Sequence, residues 1–146
     1  MKKLGMPGLL ALALAGLLLS ACAGANQGIE VKDAWVRSSS MLDRAGAAYM
    51  VISNGGSQAD QLLSVTSDVA AVIELHETTE MDGMMQMAPV AGVPVPANGQ
   101  AELAPGGLHI MLIDLTRELK PGDEVTLTLN FETAGPITVT AVVRDS

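Results

Sequence analysis

The chain has one cysteine, three aromatic residues and only eight Lys/Arg among its 146 positions. A lone Cys22 cannot close an internal disulfide, so the fold has to rest on packing alone. Trp35, Tyr49 and Phe131 are the aromatics, which leaves aliphatic side chains to fill the core and offers almost no platform on which bases could stack. Two of the cations are Lys2 and Lys3, while all 16 carboxylates lie from Glu30 onward; from residue 22 the chain carries 16 acids against six bases, a formal charge of −10. Nucleic-acid binding is excluded, because neutralising phosphates needs a basic patch. Electrostatic docking on anionic lipid is excluded for the same reason. A membrane-spanning run is missing too: Leu9–Leu19 supplies eleven apolar residues where a span needs roughly 20.

What stands at the N-terminus is an export pattern. Lys2 and Lys3 precede the short apolar run, which ends in Leu19-Ser20-Ala21-Cys22. Residues 1–21 therefore read as a signal peptide, and the last four positions resemble the lipobox of bacterial lipoproteins, in which small residues give a peptidase access to the bond before a diacylated cysteine. Cleavage there would make Cys22 the first residue and its lipid the membrane anchor that the charge forbids by other means. Residues 22–28 then form a small, polar tether whose six residues after Cys22 reach about 20 Å, at roughly 3.3–3.6 Å each. The expected location is the cell envelope, outside the cytoplasm and close against a membrane.

From residue 29 to residue 146 the sequence reads as one all-β domain. No window sustains a 3.6-residue period; short segments rich in β-branched and aliphatic residues alternate with turn formers. The expected strands are Ile29–Val36, Ala45–Ser53, Gln61–Thr66, Val72–Thr79, Met84–Val90, Gln100–Leu103, Leu108–Leu115, Glu124–Glu132 and Pro136–Val143. The turn signals include Asn54-Gly55-Gly56, Asp82-Gly83, the stretch from Pro94 to Gly99, Pro105-Gly106-Gly107, Pro121-Gly122-Asp123 and Ala134-Gly135-Pro136. Eight or nine strands at this spacing suggest a sandwich or Greek-key barrel. Residues 38–43 read as a surface loop.

The chain holds two histidines, His76 and His109, and each sits among methionines. Asp82-Gly83 lies between two strand-like runs and predicts a two-residue type I′ turn, so residues whose numbers sum to 165 should face one another. His76 then opposes Pro89 and Thr78 opposes Met87, which makes His76 and Met87 diagonal neighbours on one face, within reach of a shared ion. A slip of one residue would separate them. Met85 shares that face as a possible additional ligand, and His109 and Met111, two apart on a strand, also point the same way. Two such faces brought together would surround an ion with nitrogen and thioether sulfur. That set is soft and indicates Cu(I), because Zn(II) takes thiolate, imidazole and carboxylate, and Ca(II) and Mg(II) take oxygen. Thioethers also bind without losing a proton and cannot be lost to a disulfide. A second reading of the same residues is structural: methionine is a common core filler, and a histidine on an apolar strand is often simply satisfied there.

Together the residues read His76-x10-Met87-x21-His109-x-Met111. This spacing resembles the copper-binding signature of the PCuAC family of periplasmic copper chaperones. Similar stretches flank it, among them Val31-Lys32-Asp33-Ala34-Trp35-Val36-Arg37, Ile52-Ser53-Asn54-Gly55-Gly56, Pro105 to Leu112 and Lys120 to Val125, so that the resemblance runs from Ile29 to Val143. It implies a cupredoxin-like Greek-key β-barrel whose exposed site, with His76, Met87, His109 and Met111 as ligands, holds one Cu(I). The family implies delivery to a copper acceptor, the dinuclear copper centre of a cytochrome c oxidase. Two features depart from the family pattern. Glu77 stands where a methionine often follows the first histidine, and the lipobox replaces soluble export.

A monomeric binding and transfer protein with no catalytic residues is therefore the leading expectation. A blue-copper electron carrier needs a thiolate beside two histidines, and Cys22 lies far from both in sequence. Ser-His-Asp hydrolysis lacks a Gly-x-Ser-x-Gly turn. A mixed zinc site could draw on Glu80, which shares the face of His76, but not on Glu77, which points away. Copper storage or resistance, or an envelope lipoprotein that only binds another protein, are the alternatives.

Overall fold

A computed structural model describes residues 28–40 and 45–145. Ten strands follow in chain order: β1 Ile29–Arg37, β2 Gly46–Asn54, β3 Asp60–Thr66, β4 Ala70–Met81, β5 Met84–Pro89, β6 Val93–Val95, β7 Gly99–Leu103, β8 Leu108–Leu115, β9 Glu124–Phe131 and β10 Gly135–Arg144. They form a single ladder in the order β5-β4-β8-β2-β1-β10-β9-β3-β6, with β7 on β2. Only β1 and β10 pair in parallel, at Trp35–Val142 to Arg37–Arg144; the other ladders are antiparallel. β2 shares one edge between two partners, β8 along Gly46–Ala48 and β7 along Met50–Asn54. The ladder wraps around one aliphatic core, with Val36, Ala48, Ile52, Leu62, Ile110, Leu112, Leu127 and Leu129 all fully buried. Of the three aromatics only Phe131 joins that core cluster, as the scarcity of rings requires.

Nine strands lie where the sequence places them, within two residues at every end. β6 is the difference. Val93–Val95 falls in a stretch that reads as a turn because of Pro94 and Pro96, yet Val93 and Val95 are fully buried and pair with Leu62 and Asp60. β6 is the last strand of the ladder, where a proline needs no outward donor and is tolerated. Ser39, expected in a loop, bridges Leu119. The signal segment, Cys22, the tether up to Gln27 and residues 41–44 lie outside the described residues.

One buried carboxylate ties β3 to the turn after β9. Asp60 accepts hydrogen bonds from the backbone amides of Gln61 at 2.8 Å, Thr133 at 2.9 Å and Ala134 at 2.9 Å. Burial alone would raise its pKa, but the amides of Thr133, Gln61 and Ala134 outweigh it and hold the carboxyl below its ordinary value. The associated stability is complete above the unfolded value of about 3.9 and is lost as pH falls through the lower folded value. Asp60→Asn puts an amide donor against one of these N–H groups. It is expected to cost about 1–3 kcal/mol at pH 7 and to flatten the decline in stability below about pH 4, as read from urea midpoints at pH 7 and pH 3.

Candidate metal centre

The β4–β5 hairpin has the register that its turn dictates. Asp82 (φ 52°) and Gly83 (φ 76°) both occupy the left-handed region, the requirement of a type I′ turn. The pairs are Met81–Met84, Glu80–Met85, Thr78–Met87 and His76–Pro89, so Met87 is the diagonal neighbour of His76. β8 then packs along the other edge of β4 and places His109 directly opposite His76, and Met111 opposite Glu74. The imidazole centroids are 5.8 Å apart. All four expected ligand positions thus share one face of three adjacent strands. The alternate residues Leu75, Ile110 and Leu112 turn into the core and fix that face.

The two histidines are held differently. His109 Nδ1 lies 3.0 Å from the Gly107 carbonyl; it donates there, which leaves Nε2 with the free lone pair. His76 Nε2 lies 2.7 Å from Glu74 Oε2, and a carboxylate can only accept, so Nδ1 carries the lone pair. That Nδ1 is buried and has no hydrogen-bond partner. An orphaned buried nitrogen costs free energy that a bound cation would recover. A carboxylate holding the far side of an imidazole is the usual support of a metal-binding histidine, and it raises ligand basicity.

The histidines are 9% and 5% exposed, whereas Met87 is 54% exposed. The expected exposed site is therefore divided: imidazoles are sunk into the sheet and a thioether stands at the mouth. A cleft of about 210 Å³ opens beside them, bounded by Met87, His109, Met111, Tyr49 and Arg37 over the small residues Gly46 and Ala47. Tyr49 lies between Trp35 (centroids 4.7 Å, planes tilted by 38°) and His109 (6.4 Å, tilted by 45°). Burial pushes its phenol up, only partly offset by the Arg37 guanidinium, which sits 5.6 Å from the ring centroid. Met85, opposite Glu80, lies a further step toward the turn and is 61% exposed. Among the described residues no three His, Cys, Asp or Glu converge, and the side-chain sulfurs that line the cleft beside His109 are those of Met87 and Met111.

Sequence reasoning weighed Glu77 and Glu80 and missed Glu74. Its signal was available, since Glu74 is two residues before His76 and hence on the same face. Arg37 and Tyr49 enter the site only through the pairing of β1, β2 and β8, which no local pattern discloses.

Residues 29–143 match the sequence profile of the LpqE-like lipoproteins. The chain belongs to the LpqE-like family. One relative, Lxx21020 of Leifsonia xyli, is named as a lipoprotein and is 34% identical over 119 residues, covering 81% of this chain and 70% of its own length. Among solved structures, the Cu(I) form of DR1885 from Deinococcus radiodurans is 30% identical with a TM-score of 0.60, over 88% of this chain and 83% of that one. The copper-bound PCuAC domain of PmoF2 shares the fold at 24% identity, with a TM-score of 0.68 over 82% of this chain and 94% of that one. The LpqE-like chain thus has the all-β architecture of PCuAC domains.

Proposed function

We propose that this domain binds one Cu(I) through His76 Nδ1, His109 Nε2 and the thioethers of Met87 and Met111, and passes it to an acceptor at the membrane. The observation that carries the reading is the buried, unpartnered Nδ1 of His76, on a ring that Glu74 holds and that lies 5.8 Å from the ring of His109 across the β4–β8 ladder. The likeness to the Cu(I) form of DR1885 supports it. Soft donors retain a cuprous ion without a thiolate, and an exposed Met87 is the ligand that an incoming donor can replace first, so copper need never be free. Two imidazoles and two thioethers give way to a site containing thiolate, such as the dinuclear copper centre of cytochrome c oxidase, which is the acceptor we assign. Residues 1–21 act as an export signal, Cys22 carries the lipid, and residues 29–146 work outside the cytoplasm as a carrier, without catalysis.

The test is anaerobic. Cu(I)-loaded protein is mixed with an apo copper-site domain of an oxidase, the two are separated, and metal is measured in each. Copper should move to the acceptor, and X-ray absorption of the loaded donor should show sulfur and nitrogen scattering. Glu74→Leu should weaken Cu(I) binding by about 10–100-fold. Retention of copper by the donor would favour storage, and a shell of oxygen and nitrogen alone would refute the thioether ligands. Mass spectrometry of the mature N-terminus should find a diacylated Cys22; a free thiol would remove the anchor.

A further inference from the structure

The tip of the β4–β5 hairpin carries two thioethers that this site does not use. Met81 and Met84 close the hairpin as a directly opposed pair on either side of Asp82-Gly83. Their positions alternate with those of Thr78, Glu80, Met85 and Met87, so they stand on the other face of the hairpin. They are 56% and 62% exposed. Side chains so open to water gain little from burial, and filling the core does not account for them. Between Ala70 and Pro89 the chain has Glu74, Glu77, Glu80 and Asp82 and no Lys or Arg, which makes this hairpin attractive to cations. The next pair inward on that face, Thr79–Gln86, brings no carboxylate, and Glu77 follows one pair further in; the paired donors at the tip itself are thioethers, which favour a soft ion over a hard one.

The span fits a soft ion. Opposed residues of an antiparallel pair hold their Cβ atoms about 4.5–5.5 Å apart. With the zinc–sulfur length of about 2.3 Å as a guide, two sulfurs bound to one ion lie at most about 4.6 Å apart, in a linear arrangement. Two unbranched side chains running parallel from Met81 and Met84 meet that requirement without bending the backbone. We propose that Met81 and Met84 form a second cuprous site, bis-thioether and weaker than the four-donor centre, at the outermost point of the hairpin. It loads only after the His/Met centre is full. It stands where a donor or acceptor protein first touches the hairpin.

The full chain labelled with 13C at the methionine methyls and titrated anaerobically with Cu(I) tests this directly. The first equivalent should move the Met87 and Met111 methyl signals, and the second those of Met81 and Met84. Met81→Leu/Met84→Leu should lose one of two bound equivalents and leave the first unchanged, since volume is kept at exposed positions. In a Met87→Leu/Met111→Leu variant the Met81 and Met84 signals should still move, so failure of the inner centre is read separately from failure of the outer one. Met81 and Met84 signals that stay still through two equivalents, or a second equivalent retained by the Met81→Leu/Met84→Leu variant, would overturn the proposal.

Discussion

His76→Leu is expected to weaken Cu(I) binding by more than about 100-fold, beyond what loss of a supporting group alone costs, and yet to leave the apo domain as stable as the parent or more so. The two halves of this result come from one atom. His76 Nδ1 is buried without a partner, and relieving an orphaned polar group is worth about 1–3 kcal/mol, while leucine adds apolar contact in the same space. Glu74 loses its hydrogen bond but is partly exposed and returns to water. An anaerobic titration and a thermal melt on the same samples decide the matter. A parent-like affinity would place the copper elsewhere. Undiminished copper loss combined with a melting point several degrees lower would show that the imidazole also holds the fold. Exchange of stability for a functional group is common at binding sites, and here two buried nitrogens lack a partner, His76 Nδ1 and the Nε of Arg37 at the edge of the cleft.

Ile110→Ala is expected to produce the largest loss of stability, about 2–5 kcal/mol. Ile110 is fully buried and lies between His109 and Met111 in sequence, opposite Leu75 on β4 and Ala48 on β2. It anchors from beneath the strand that presents two of the proposed ligands above. Urea unfolding should show the midpoint fall with the slope preserved. Free Cu(I) at about 100 times its dissociation constant should return about 2.7 kcal/mol to the variant by mass action, provided that the affinity survives. A loss under about 1 kcal/mol would mean that the neighbouring side chains collapse into the gap, contrary to the close packing described here.

How much of this was legible beforehand depends on where the determining forces lie. The hairpin register was readable to the residue, because Asp82-Gly83 admits one turn and the turn fixes every pair behind it. His109 and Met111 were legible as one face because strand alternation is local. That His109 would stand directly opposite His76 was not, since β4 and β8 are brought together by the whole core and not by any neighbouring signal. Val93–Val95 was hidden by its prolines, whose meaning changes at the end of a ladder. Glu74 was hidden in plain sight, in step with His76, because attention to possible ligands passes over groups that only orient them. The depth of the imidazoles also escaped, since burial on the outer face depends on Tyr49 and the strands beside it.

The run of β1 carries a consequence for the geometry of anchoring. Its first residue, Ile29, adjoins the tether, and six residues later Trp35 stacks on Tyr49 beside the two histidines. A bulge between Lys32 and Trp35, where Asp33 takes a φ of 52°, interrupts this strand, so at about 3.3 Å per residue it separates the end of the tether from the histidine face by at most about 20 Å. On the lipid anchoring proposed above, this strand sets the face that holds the histidines away from the anchored end of the domain. A carrier anchored in that way would meet its acceptor on the side turned from the tether, at a distance from the bilayer to which both the strand and the tether contribute.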